Sequence, residues 1–443
     1  MQLRQGPKQP AKQTVRIVGG LAGLFVVGLL VNGWFLANDE PVISTPNPAL
    51  PRPNAYDFYV SASKAIVDTD RIFSTTMRTP YTGSRTLEQE RIEQQSEATL
   101  QHNAAALRLL HQGFTYDCVA PPTPPFTFSP QFPHFAGFRS LTRLLFMQSR
   151  VRAARGNWGG ASDSALDGIR VGEDSMQGGA FIAHLVGGAC VAIGQRPMWT
   201  TVEHLNSAQS RTAALRLQAM MKRHFSYAET MQQEKWAGQA RLKEAFHSVN
   251  IRSAFGDGNG FALDHAPLAQ RVKTAGFLLY GKKRLVRDYT EYMDRASELS
   301  RQPYGLHLPP PPFPSDPINR TFLPIFTEAR LKDVSTETQN GLLLVTLSLH
   351  TFHLEHGHYP NALAELAPSV LKKLPDDPFA ARGTFKYKLQ SRGYVLYSVG
   401  PDGKDDDGTP INDAKYVGVE GAKQRYSLKA GTRGDIVAGL NFP

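Results

Sequence analysis

Cysteine is nearly missing from this chain: there are two in 443 residues, Cys118 and Cys190. Neither lies in a CxxC, which excludes a structural zinc site built on cysteine and leaves either one disulfide or two buried thiols open. The catalytic signatures HExxH and GxSxG are also absent. The glycine-rich run Gly256-Asp257-Gly258-Asn259-Gly260 is not a GxGxxG and no strand precedes it, so it reads as a loop rather than a nucleotide site. Acidic residues are in deficit, 39 against 49 Lys and Arg, for a formal net charge of +10. The basic residues are scattered along helical segments, as in Lys282-Lys283-Arg284, with no basic stripe interleaved with aromatics, so nucleic acid is not an expected partner. A basic surface near anionic lipid headgroups is the more economical reading.

Charge is wholly absent from one long run, IVGGLAGLFVVGLLVNGWFLA, residues 17–37. At a rise of ~1.5 Å per residue, ~20 apolar residues cross a ~30 Å hydrocarbon core, so a transmembrane anchor is expected there, with the lipid bilayer as a partner. Arg4, Lys8, Lys12 and Arg16 precede the run and Asp39 and Glu40 follow it. The positive-inside rule then assigns residues 1–16 to the cytoplasm and the bulk of the chain to the periplasmic or extracytoplasmic side of a bacterial inner membrane. A cleaved signal peptide is the rival reading, but its apolar region would be shorter.

The rest divides by composition. Residues 38–53 form a Pro-rich, semi-rigid spacer. Residues 54–307 read as helical, with Asn54 capping a helix to about Phe73 and Thr86-Leu87-Glu88-Gln89 a capping box that opens a helix to about His111. Its apolar face is Ile92, Leu100, Leu107 and Leu110. The stretch Ala154–Ala161, ARGNWGGA, joins two amphipathic helices, with a pattern similar to the turn of a tetratricopeptide repeat but without a second copy at a ~34-residue period. A second Pro-rich segment, 308–325, leads to a tail, 326–443. The tail opens with a helix from about Phe326 to His356 that buries Leu343, Leu347 and Phe352, followed by a short helix capped by Asn361. The segments FKYKL and GYVLYSV should pair around Ser391-Arg392-Gly393, and GDIVAGL should add a last strand. The expected fold class is therefore mostly α, with a transmembrane helix, a helical middle and a small α+β C-terminal domain of antiparallel strands.

The densest acid in this basic chain is the loop GPDGKDDDG, Gly400 to Gly408. Adjacent carboxylates repel, so such a run is costly to fold unless it is solvated or bound to a cation. Calcium takes 6–8 oxygens at about 2.3–2.6 Å, and Gly400, Gly403 and Gly408 allow backbone carbonyls to turn inward. Asp402, Asp405 and Asp407 can converge with a backbone carbonyl near Ser398, while Asp406 should point outward. The loop is not an EF-hand: with Asp405 and Asp407 at loop positions 3 and 5, Ala414 falls at position 12, where a bidentate Glu belongs. Without an ion, the same loop is an acidic solvated turn.

The tail resembles the soluble domain of the major pseudopilins of type II secretion. The residues that carry the resemblance are HLEHGHYPNALAEL, LKKLPDDPF, YVLYSVGPDGKDDDG and Gly434-Asp435-Ile436, in the family's order. The resemblance implies a calcium ion at the acidic loop, with Asp435 joining Ser398, Asp402, Asp405 and Asp407 as a ligand. Its role would be structural, with an affinity of ~10⁻⁵ to 10⁻³ M, suited to extracellular calcium. Pseudopilins carry a glutamate early in the apolar helix. Residues 17–37 have none, so the resemblance implies a shared fold and ion loop but not a filament subunit. The whole layout also resembles a broad set of single-pass exported bacterial proteins, which implies no activity.

Two sharper chemistries compete with this reading. Ser61-Ala62-Ser63-Lys64, Ser248-Val249-Asn250 and Lys429-Ala430-Gly431 follow the order of the SxxK, SxN and KTG motifs of penicillin-binding transpeptidases, although the third lacks its hydroxyl residue. An envelope hydrolase or transpeptidase using Ser61 and Lys64 is thus the alternative function. His350, His353, His356 and His358 could place two metal ligands on one helical face, but they better suit a helix C-terminus, where positive charge meets the negative end of the dipole. The leading expectation is a non-enzymatic, membrane-anchored envelope protein with a helical surface for another envelope protein and a calcium-stabilised tail.

Overall fold

The structure, a computed structural model, describes residues 49–67, 86–122, 133–248, 281–315, 326–411 and 428–440, with single positions at 43, 46, 319 and 323. It is mostly helical, with one small three-stranded antiparallel sheet. Among the described residues no helix is long and apolar enough to cross a membrane. The expected anchor at 17–37 and the 253–265 loop lie outside them.

The described residues fall into two compact units. The larger takes in those of 46–237, 293–312 and 324–443. In it, α1 (Ala55–Lys64) starts at Asn54, whose side chain accepts from Tyr56 N at 3.1 Å. The same side chain clamps Val119, donating to its carbonyl at 2.8 Å and accepting from its N–H at 3.1 Å. The helix ends at Lys64, earlier than the sequence reading, and residues 68–73 lie outside the described set. The Thr86 capping box forms as expected, with both reciprocal bonds present. The helix it opens is split, however, into α2 (Leu87–His102) and α3 (Ala104–Gly113). The break is Asn103, fully buried, whose amide bonds Val67 through both its N–H and its carbonyl. Asparagine side chains compete with helical hydrogen bonds in this way.

Helices α4 (Pro133–Ala154) and α5 (Trp158–Met176) form the expected hairpin. Asn157 caps α5 by accepting from Gly160 N at 2.9 Å, and Arg152 reaches across to Gly160 O at 3.0 Å. α5 lies against α6 (Phe181–Thr201). Their contact is lined by glycine: Gly168 faces Gly194 and Gly172 faces Gly187, and a Cβ on Gly194 would sit 2.4 Å from Ile169 N. α7 (Ser207–Lys222) follows, and α8 (Tyr227–Ser248) begins in this unit. Cys118 and Cys190 are both free and buried in one apolar core with Tyr59, Phe138 and Leu141, which settles the open choice in favour of two thiols.

The tail helix, here α10 (Phe326–His356; α9 is Lys282–Arg301), has the expected bounds. Its second half, 341–352, is apolar on several faces because it is buried on two sides. Leu343, Leu344 and Leu347 enter one core with Ala213 and Leu217 of α7 and Ile169 of α5. Leu342, Val345, Leu349 and Phe352 enter another with Phe385, Leu396 and Ile436. The strands are β1 (Lys386–Gln390), β2 (Gly393–Ser398) and β3 (Ile436–Val437), in that order across the sheet. Gln390 pairs Gly393 at the hairpin end, so Gly393, expected in the turn, already opens β2. Asn361 does not cap a helix. A 3₁₀ turn, Leu363–Leu366, starts instead with Glu365 accepting from the N–H groups of Asn361 and Ala362 at 2.8 and 3.0 Å.

The smaller unit takes in described residues of 238–292 and 313–323. There Gln239 donates to Thr290 Oγ1 at 2.8 Å, Asn319 to Leu285 O at 3.1 Å, and Tyr292 stacks on Phe313.

Candidate functional site

The acidic loop follows β2 and is tied back by the segment leading into β3. Asp435 is buried. It accepts from Gly408 N at 2.7 Å and from Asp406 N at 3.4 Å. Burial, aided by the nearby carboxylates of Asp405 and Asp406, outweighs these two bonds and raises its pKa to about 6. Asp406 is exposed, in keeping with the outward orientation expected of it, while its Oδ2 accepts from Gly434 N at 3.1 Å. Asp405 accepts from the Tyr397 hydroxyl at 2.9 Å and pairs with Lys386 at 3.3 Å. Burial works against its charge, but the Tyr397 hydroxyl, the Asp407 N–H and Lys386 outweigh it and lower its pKa. Asp407, with φ 63, pairs with Lys388. Asp402 accepts from Lys404 N at 3.3 Å in a local turn, and its carbonyl contacts His307 Nε2 at 3.1 Å.

The sequence-nominated ligands are therefore brought together in part. Asp405 and Asp435 share a neighbourhood with Asp406, and Asp402 and Asp407 are held by contacts of their own. The hydroxyl of the fifth, Ser398, is buried and donates to Asp377 Oδ1 at 2.7 Å. Asp377, from the LPDDPF turn, also accepts from Val399 N and Phe379 N, and so fastens that turn to the end of β2.

Ser61 lies on the exposed side of α1 and donates to Asp57 O at 2.8 Å. Among the described residues no hydrogen bond joins its hydroxyl to Lys64. The four tail histidines make separate contacts: His350 with Leu205 O, His353 stacked on Tyr359, His356 stacked on Phe352, and His358 with Tyr359 O.

A different cluster lies inside the larger unit, where the starts of α6 and α8 and the loop after α7 meet α5 and α10. Asp333, Glu337 and Asn340 form a stripe at i, i+4 and i+7 on α10. His224 Nδ1 contacts Glu173 Oε2 at 2.7 Å, and Glu173 is held in turn by Asn340 at 3.2 Å and, through Asn340, by Gln195 at 2.7 Å. The other ring nitrogen, His224 Nε2, lies 3.1 Å from Glu337 Oε1 and 3.7 Å from Asp333 Oδ1, yet it is buried and makes no hydrogen bond. The short distance to Glu337 is thus an off-line contact. His184 Nε2 meets Asp333 Oδ1 at 2.6 Å, and its Nδ1 meets the Thr230 hydroxyl at 2.8 Å. Burial disfavours charge on His224, but Glu173 and Glu337 outweigh it and hold the imidazole well above its ordinary pKa. Burial likewise disfavours the charge on Asp333, and His184 and His224 overcome it, so that its pKa is lowered.

The Thr230–His184–Asp333 line has the order of a nucleophilic relay, but Thr230 is fully buried, so substrate does not reach it. His224, Asp333 and Glu337 differ: their ligand atoms all lie within 4.8 Å of one another. Asp333 and Glu337 also line a cavity of about 460 Å³ shared with Tyr227, Arg301, Arg330 and Asp377. Sequence reasoning missed this cluster. The available signal was the polar stripe at 333, 337 and 340 on a helix otherwise buried, and His224 gave none.

No family model, curated protein or solved structure matches this chain.

Proposed function

We propose that this is a membrane-anchored, non-enzymatic protein of the bacterial cell envelope, held in the inner membrane by residues 17–37. Its helical region meets another envelope protein, and its tail is a pseudopilin-like module stabilised by calcium at the acidic loop. The observation that carries the calcium part of this reading is the carboxylate of Asp435, buried beside Asp405 and Asp406 with its pKa raised to about 6; the anchor rests on the uncharged run 17–37. Crowded carboxylates in that state gain from a divalent cation. The competing contacts are weak. Lys386–Asp405 and Lys388–Asp407 join solvent-exposed groups, and such pairs contribute about 0–1 kcal/mol, so an ion can displace them at small cost. The alternative hydrolase reading has no comparable support at Ser61.

Calcium titration of the full chain in detergent, by calorimetry alongside thermal melting, tests the reading. The expected result is heat and a rise in melting temperature in the ~10⁻⁵ to 10⁻³ M range, both lost in Asp402→Ala/Asp407→Ala. Neither heat nor a shift at millimolar calcium means that the loop is a solvated turn.

A further inference from the structure

We propose that His224, Asp333 and Glu337 bind one divalent transition-metal ion, at a site separate from the acidic loop. Bonds of about 2.1 Å at tetrahedral angles set ligand atoms about 3.4 Å apart. The separations from His224 Nε2, 3.1 Å to Glu337 Oε1 and 3.7 Å to Asp333 Oδ1, bracket that value. They fit poorly as hydrogen bonds, because Nε2 is buried without one. A buried ring nitrogen with no hydrogen bond faces two carboxylates, and an ion that enters between them displaces the Nε2 proton and takes its place.

The surroundings supply what a ligating histidine needs. A metal-bound imidazole usually donates its other N–H to a carboxylate, which fixes the tautomer and orients the ring. Glu173 takes that place on Nδ1 at 2.7 Å, which leaves Nε2 as the ligand atom, and Asn340 and Gln195 hold Glu173. His184 does the same for Asp333, and Thr230 anchors His184. The charges also balance: two carboxylates neutralise a divalent ion. One imidazole with two carboxylates favours Zn²⁺, Mn²⁺ or Fe²⁺ over Ca²⁺, which prefers an all-oxygen shell, and over Cu⁺, which prefers sulfur. Asp333 and Glu337 line the 460 Å³ cavity, which gives the ion a path and leaves room for a water or small ligand as a fourth donor.

Zn²⁺ titration of the full chain by calorimetry, with Co²⁺ absorption spectra as a geometric readout, decides the matter. Glu337 is the ligand to change first: its side chain is 35% exposed, so Glu337→Gln removes a ligand charge with little risk to the fold. One equivalent of Zn²⁺ is expected, weakened at least tenfold in Glu337→Gln, with altered Co²⁺ bands. Glu173→Gln, which touches no ion, should weaken binding by about 10–100-fold. Asp402→Ala/Asp407→Ala should leave Zn²⁺ binding unchanged, so a failure of the calcium reading does not count against this one. The proposal is overturned if the chain takes up no stoichiometric Zn²⁺. It is equally overturned if Glu337→Gln binds Zn²⁺ as the parent does, or if binding disappears only with the acidic-loop variant.

Discussion

At Asp435 three effects act on one carboxyl group. Burial raises its pKa, two backbone N–H groups lower it, and the neighbouring carboxylates of Asp405 and Asp406 raise it again, to about 6. The unfolded chain has an ordinary aspartate near pKa ~3.9. Between those values the folded protein holds a proton that the unfolded chain has released, so folding takes up a proton. The contribution to stability is therefore fully present below about pH 4 and is lost as the pH rises through 6, the reverse of a salt-bridged aspartate. Melting from pH 4 to 7 in a calcium-chelated buffer should show this loss, and Asp435→Asn should flatten that part of the slope. Calcium would take the proton's place, so saturating calcium should flatten it as well. An unchanged slope in Asp435→Asn would locate the titration elsewhere.

At the scale of the element, the crossing of α5 and α6 depends on residues that contribute nothing but their smallness. A Cβ on Gly194 meets Ile169 N at 2.4 Å and Gly168 C at 2.7 Å, backbone atoms that cannot rotate away. Gly188, six residues earlier on α6, meets nothing closer than Thr336 Oγ1 at 3.9 Å. Gly194→Ala should thus force the helices apart at a cost of about 1–3 kcal/mol. Gly188→Ala should stabilise by about 0.5–1 kcal/mol, since it only removes glycine's entropy from a helix interior. Denaturant melts of the pair provide the check, and equal effects would refute the close-packing argument. Local chemistry of this scale was readable in the sequence wherever both partners lie within a few residues. The Thr86–Gln89 capping box, the Asn54 cap and the hairpin across Ser391-Arg392 are cases. The break at Asn103 was not readable, because its cause is Val67, 36 residues away. Asn361 is a local misreading of another kind: it looks like a cap by composition, but Glu365, four residues on, takes the N–H groups of Asn361 and Ala362.

At the scale of the molecule, composition suggests a helical region and a tail separated by prolines, yet α10 has a face in each core. Leu347 packs with Ala213 and Leu217, while its neighbour Leu349 packs with Leu396 and Ile436. Sequence periodicity could show that the second half of this helix is buried but not on which elements, since a stretch apolar on several faces has no preferred face. The same blindness hid the polar stripe of Asp333, Glu337 and Asn340, whose meaning depends on His224 and Glu173 arriving from other helices. A helix shared by two cores couples their unfolding. Leu347 is fully buried, and Leu347→Ala should cost about 2–5 kcal/mol. If α10 couples the two, a probe in the tail, such as exchange of the Leu396 amide in β2, and a probe in α7, such as that of the Leu217 amide, should lose protection together and by the same amount. A variant that loosens Leu217 while Leu396 keeps its protection would mean that the sheet and its covering helix fold as a separate unit, as the proline boundaries alone suggest.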